Sequence, residues 1–149
     1  SLPRMVSVQN PYSLLNRSYE INMAEISEIE NIGLLAYSPL GFGMLTGKYI
    51  SKSPKNSRLS IWNRFNRYSN NNSKKATVKY VELAKKYNIS PTHLALSFVN
   101  QQPFVTSNII GATKLTQLKE NIESINIKLN EEILTEIENI HISQPNPAP

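Results

Sequence analysis

Between Glu30 and Glu82 the sequence holds nine cations and no acid: Lys48, Lys52, Lys55, Arg58, Arg64, Arg67, Lys74, Lys75 and Lys79. A block of that charge is either a solvated surface or the counterpart of an anion, whether a phosphate-bearing small ligand or a nucleic acid. Trp62, Phe65 and Tyr68 interleave with Arg58, Arg64 and Arg67. That spacing can stack bases, but a loop packing its own aromatics is the favoured reading. The rest of the chain carries seven cations against eleven acids, giving a net charge of +5 over 149 residues. Every acid is a glutamate; aspartate and cysteine are absent. Their absence excludes disulfides, thiolate metal sites, cysteine nucleophiles and any aspartate-based triad or dyad. His93 and His141 stand far apart in sequence with nothing clustered around them, so they read as structural or surface residues and no metal site is expected.

These groups need elements to position them. Met5 to Gln9 alternates apolar and polar residues and reads as a strand, ended by Asn10-Pro11. Residues 19–31 read as a helix, stopped between Asn31 and Gly33. Gly33 to Tyr37 is a short continuous apolar run, typical of a strand buried on both faces. Residues 38–73 read as one long Gly/Ser/Asn-rich basic loop, a length that usually signals function or disorder. Lys74 to Tyr87 has a helical apolar face, and Ser90-Pro91 opens a further helix that Pro103 ends. Thr106 to Ile110 reads as a third strand. The helix after it is expected to turn Leu115, Leu118 and Ile122 inward. Asn130 caps a last helix striped by Ile133, Leu134, Ile137 and Ile140, and Pro145 to Pro149 reads as an unstructured tail.

Strands and helices that alternate in this way argue for parallel βα units. Functional residues are then expected at the C-terminal ends of the strands: Gln9 and Asn10, Tyr37 and Ser38, and Gly111 to Thr113. Three strands make a poor sheet alone, and their hydrophobicity calls for neighbours. The longest apolar runs are a few residues, so no membrane partner is expected. The chain opens on Ser1 without a leader-like pattern, which reads as a removed initiator or a piece of something longer.

The strand ends carry a resemblance. Val8-Gln9-Asn10-Pro11-Tyr12-Ser13-Leu14-Leu15-Asn16-Arg17 resembles the sixth strand of an aldo-keto reductase. The run Leu35-Ala36-Tyr37-Ser38-Pro39-Leu40-Gly41-Phe42-Gly43, continued by Met44 to Tyr49, resembles the seventh strand and its loop. Ile109-Ile110-Gly111-Ala112-Thr113 with Gln117 to Asn121 resembles the eighth strand and helix. Order and spacing agree over essentially the whole chain. The likeness is to the bacterial Tas-like branch of the family, down to the terminal Pro-Ala-Pro.

The resemblance implies an α/β fold, a partial (β/α)8 TIM barrel made of the last three βα units and the C-terminal helix. Residues 1–142 would be the C-terminal portion of an NADP-dependent oxidoreductase domain, with 143–149 a Pro-rich tail. Such a protein would bind NADPH across the barrel mouth and reduce aldehydes or ketones in the cytoplasm. The resemblance assigns Gln9 to the nicotinamide carboxamide and Tyr37 to stacking on the nicotinamide ring. Ser38, Leu40 and Gly43 would line the loop over the pyrophosphate, where glycine-rich backbone lets N–H groups approach phosphate oxygens. Lys48 and Arg58 would neutralise phosphates. Gly111 and Thr113 would open the loop facing the 2′-phosphate, and Gln117, Glu120 and Asn121 would meet the adenosine end. Many family members carry arginine where Gln117 stands. The choice between NADP and NAD is therefore open, with Lys114 able to supply the charge.

The family's acid, a tyrosine supported by lysine, aspartate and histidine, lies in the first half of its barrel. No catalytic residue is therefore assigned here, and the chain alone is expected to be inactive. A non-catalytic NADP-binding or interaction protein is the alternative. The partners implied are NADP(H) and either the missing N-terminal half or a homodimer mate, with no nucleic acid.

Overall fold

A computed structural model describes residues 2–51, 53–62 and 66–149. Lys52, Arg64 and Phe65 of the basic, aromatic-rich stretch lie outside the described residues. Three parallel strands stand in chain order: β1 (Ser7–Pro11), β2 (Gly33–Tyr37) and β3 (Val105–Ile109). Gln9 faces Leu35 across the first pair, and Tyr37 faces both Pro11 and Ile109. Parallel neighbours joined through helices are the βα arrangement that the alternation predicts. Gly33 is a steric requirement at the entry to β2, because a Cβ there would lie 1.6 Å from the Thr106 hydroxyl on β3.

Six α-helices are present among the described residues: α1 (Met23–Glu30), α2 (Arg58–Ile61), α3 (Asn71–Lys86), α4 (Pro91–Asn100), α5 (Leu115–Glu123) and α6 (Glu131–Ser143). Their starts follow local chemistry. Asn70, Ser90 and Asn130 each accept a backbone N–H from three residues on, at 2.9–3.0 Å, and so cap α3, α4 and α6. Pro91 fills the first turn of α4, where its missing N–H costs nothing. Asn31 ends α1 in the left-handed conformation.

The core lies between the sheet and α3, α4 and α6. Leu34 and Ala36 enter it from β2, against Tyr12, Ala84, Leu94, Ala95, Phe98 and Val99. Tyr12 stacks on Phe98 at 6.0 Å and meets Phe104 edge-on at 5.3 Å. Arg17 crosses the same layer, its guanidinium over the Phe98 ring and bonded to Glu20 and Glu138 at 2.6–2.8 Å.

Five expectations are corrected. The stretch 19–31 is broken at Asn22 into a 3₁₀ turn, Ser18–Glu20, and α1. The long loop after β2 is not structureless, since it holds a 3₁₀ segment at Gly41–Thr46 and the helix α2, and α3 begins at Asn71. β2 is fully buried only on the side of Leu34 and Ala36; Leu35 and Tyr37 are half-buried because no second layer among the described residues covers their face. Leu115, Leu118 and Ile122 are exposed, not inward, and the buried residue of α5 is Asn121. Their apolar stripe is real, but among the described residues it is left largely uncovered.

The tail is not unstructured either. Ala148 is buried, its N–H bonded to the Leu15 carbonyl at 3.1 Å. Asn146 accepts the Arg17 backbone N–H at 2.6 Å. Proline enters such a docked segment at low entropic cost because its φ is already fixed.

Candidate cofactor-binding site

Alternation along β2 sends Leu34 and Ala36 to the helices, and therefore Leu35 and Tyr37 to the opposite, open face. Register then places Gln9 beside Leu35 on that same face, one step down from Tyr37. The amide and the aromatic ring that the resemblance assigns to a nicotinamide thus share one side of the sheet, near the C-terminal ends of adjacent strands.

The loop leaving Tyr37 turns sharply. Ser38, Gly41, Phe42 and Gly43 all have positive φ, at 57°, 53°, 55° and 91°. For Phe42 this is a strained conformation that its surroundings must hold. The Gly41 and Gly43 amides donate to the Ser38 and Leu40 carbonyls at 2.8 and 2.9 Å. Both are spent on building the turn, so the loop's means of meeting an anion are chiefly its side chains.

Two cations fold back onto this turn. The Lys48 ammonium lies 3.0 Å from where a Gly43 Cβ would sit, so glycine there gives the lysine its place. Lys48 also rests on the Tyr49 ring at 5.0 Å. The Arg58 guanidinium lies 5.4 Å from the centre of the Phe42 ring. Ser38, Leu40, Gly43, Lys48 and Arg58 are therefore one cluster, assembled from the end of β2 to the start of α2. Beneath it Tyr68 is buried and packs edge-on against Phe42 at 4.9 Å. Burial raises the Tyr68 phenol pKa against the opposing charge of Arg67. A phenol so enclosed is not a surface for stacking bases.

A second cluster follows β3. Gly111 meets open space, with nothing within 4 Å of where a Cβ would stand. The Gln117 carbonyl oxygen accepts both the Thr113 N–H at 3.1 Å and the Thr113 hydroxyl at 3.2 Å. That closes the loop at the start of α5 and leaves the Gln117 amide nitrogen as its remaining donor. Asn121 is buried and reaches the Gly111 carbonyl at 3.5 Å. Glu120 is held by α4: Ser90 donates to its carboxylate at 2.9 Å, and His93 Nε2 lies 3.0 Å from its backbone carbonyl. The sequence reading of His93 as a structural residue agrees with that bond, but its work of fastening Glu120 carried no sequence signal. The two clusters flank neighbouring strands, since Tyr37 and Ile109 are paired.

The Arg17 cluster also escaped the sequence reading. Glu20 at i+3 is a visible clue, but Glu138 lies far away in the chain. Tyr12 donates to Glu20, and burial first, then the Glu20 charge, raises its pKa well beyond the usual tyrosine range. Arg17 is held charged by Glu20 and Glu138 despite its burial. Its partners are all accounted for, so it serves as a brace and not as a reactive group. Among the described residues no group of three or more His and Glu side chains is placed to hold a metal.

A sequence model of the Aldo/keto reductase family matches residues 1–142. Protein tas of Escherichia coli is 50% identical over 149 residues, covering 99% of this chain and 43% of the relative. An aldo-keto reductase of Babesia bovis is 37% identical over 123 residues, covering 78% of this chain and 43% of the relative. L-glyceraldehyde 3-phosphate reductase of Escherichia coli is 31% identical over 127 residues, 79% of this chain and 36% of the relative. The chain thus spans less than half the length of these relatives.

Proposed function

The chain belongs to the aldo/keto reductase family, and we propose that it is the cofactor-binding C-terminal part of an NADPH-dependent carbonyl reductase, without turnover of its own. The observation that carries this reading is the shared address of the candidate residues. Gln9 and Tyr37 lie on one open face, and both loop clusters stand at the C-terminal ends of β2 and β3. A barrel of this class has eight strands, of which three stand among the described residues, so the others would come from elsewhere.

The residues fit a phosphorylated dinucleotide. Lys48 and Arg58 converge on one turn, Gly111 offers uncovered backbone, and the α5 N-terminus beside Lys114 favours negative charge. Gln9 would orient the nicotinamide amide and Tyr37 would cover one ring face, leaving the other for the substrate. The bound cofactor would supply hydride to a carbonyl carbon. The proton for the carbonyl oxygen needs a tuned acid, and the family's acid comes with an aspartate this chain does not contain. Partition between NADP and NAD would rest on Lys114 and the remaining Gln117 donor. The absent units, in cis or in trans, are the partner this reading requires, and the family's cytoplasmic setting comes with it. Among the described residues no helix is long and apolar enough to cross a membrane.

Titration with NADPH, followed by calorimetry, tests the retained site. Binding is expected to weaken about 100-fold in a Tyr37→Ala, Arg58→Ala double variant, from one lost stacking surface and one lost charge-assisted contact. Equal affinity in the two proteins would argue against the site. Binding that survives with no gain in reduction on adding the complementary half would favour the non-catalytic reading.

A further inference from the structure

We propose that the tail segment Asn146–Pro149 is a strap that positions the anion-binding turn at Gly41–Gly43; its consequence for nucleotide affinity rests on the reading above. The strap is fastened at two points. Asn146 accepts the Arg17 N–H, and Ala148 is inserted into the core with its N–H on Leu15. From this anchored line two carbonyls reach the segment between the basic loop and α3. The Pro147 oxygen accepts the Asn70 side-chain amide at 2.9 Å and the Ser73 hydroxyl at 3.2 Å. The Pro149 oxygen accepts Arg67 Nε at 3.0 Å.

Tyr68 sits between Arg67 and Asn70. Its ring lies edge-on to Phe42 at 4.9 Å and 3.4 Å from where a Gly41 Cβ would stand. Phe42 in turn carries Arg58. A continuous set of contacts therefore leads from the tail carbonyls through residues 67–70 to the turn and its cation. The turn needs such support, because Phe42 occupies a left-handed conformation that a free loop would leave. With the strap in place, Tyr68 is held under the turn. Without it, residues 66–70 lose their hydrogen bonds to the tail and keep the local turn between Asn66 and Ser69 and the α3 cap.

Asn70 allows the two roles to be separated. Its Oδ1 caps α3 by accepting the Ser73 N–H, while its Nδ2 donates to the Pro147 carbonyl of the strap at 2.9 Å and, over a longer 3.4 Å, to the Arg67 carbonyl. Asn70→Asp keeps a good cap and removes the donor. Hydrogen exchange is to be compared in the intact chain, in N70D, and in a chain ending at Gln144. The expected result is exchange about fivefold to tenfold faster in both variants over residues 66–73 and 38–46, the scale of one or two lost hydrogen bonds. Exchange over α4 and β3 should be unchanged, which excludes general unfolding. NADPH affinity should fall several-fold alongside. Unchanged exchange over 38–46 in N70D, or faster exchange confined to 66–73, would overturn the strap. An intact chain that binds no nucleotide would remove the proposed function, while the exchange comparison would still decide the strap.

Discussion

On the helix-covered side of the sheet Leu34, Ala36, Ala84, Ala95 and Val99 are completely buried, and Arg17 is braced by two glutamates. At the outer edges Val6 is 84% exposed, Ile29 73%, Ile122 57% and Ile125 67%. Beside the free edge of β3 runs a groove of about 330 Å³, lined by Asn100, Asn108, Asn121, Ile122 and Ile125. The first region resembles the interior of a finished domain. The second has the residue types of an interior and the exposure of a surface, the pattern of a face meant to be covered. The contrast suits a chain that supplies one arc of a larger α/β barrel: α3, α4 and α6 cover one face of the sheet, while among the described residues both sheet edges, the α5 stripe and the face bearing Gln9 and Tyr37 are left open. Exposed parallel edges with apolar side chains near them are also where such a chain would self-associate.

The largest effect is expected in the finished region. Arg17→Met leaves Glu20, still held by Tyr12, and the half-exposed Glu138 without their cation; because solvent screens both carboxylates, the cost is expected at about 1–3 kcal/mol, below that of a fully buried pair. Urea unfolding measures it. A loss below about 1 kcal/mol, the scale of a surface pair, would mean that the brace is dispensable and the contrast overstated.

The open region should answer in the opposite way. Ile122→Lys replaces an exposed side chain, so the isolated chain should change by no more than about 0.5 kcal/mol. The same substitution should abolish assembly with a complementary N-terminal half, because it buries an unpaired charge. Strong destabilisation of the chain alone would show that the edge is already covered.

The smallest expected effect is a pH dependence within the finished region. Burial, then the Arg17 charge, lowers the His141 pKa below its usual value. Below pH 6.5 the unfolded chain therefore takes up the proton more readily than the folded one. This contribution to stability is complete above about pH 6.5 and declines as the pH falls toward the depressed folded-state value. Glu20 and Glu138 act against the shift. In His141→Gln the fall in urea midpoint between pH 7 and pH 5.5 should be shallower; an identical slope would remove His141 as its source.

Much of this was legible in the sequence, for local reasons. The three strands and the caps at Ser90 and Asn130 follow from short motifs whose chemistry is complete within a few residues, while the grouping of Ser38, Gly43, Lys48 and Arg58 comes only from the family resemblance. What escaped depends on partners distant in the chain. Arg17 and Glu138 meet only in the folded state. The tail looked unstructured because its prolines form no regular element, yet its carbonyls find Arg67, Asn70 and Ser73. The stripe of Leu115, Leu118 and Ile122 is apolar as its spacing suggests, but periodicity reports a face and not whether anything covers it. The glycine-rich backbone around Gly43 is expected from the resemblance to face phosphate, and the use of the Gly41 and Gly43 amides inside the turn is visible only in the backbone path.

The cofactor site proposed for this chain would draw its chemistry from units the chain lacks. This dependence is tested most directly by mixing the chain with the N-terminal portion of a relative that precedes the matched region and following NADPH oxidation with a simple aldehyde. No turnover is expected from either piece alone, and NADPH oxidation is expected from the mixture, lost again with Tyr37→Ala, Arg58→Ala. Aldehyde reduction by this chain alone would contradict the dependence, as would a stable complex of the two pieces that shows no activity.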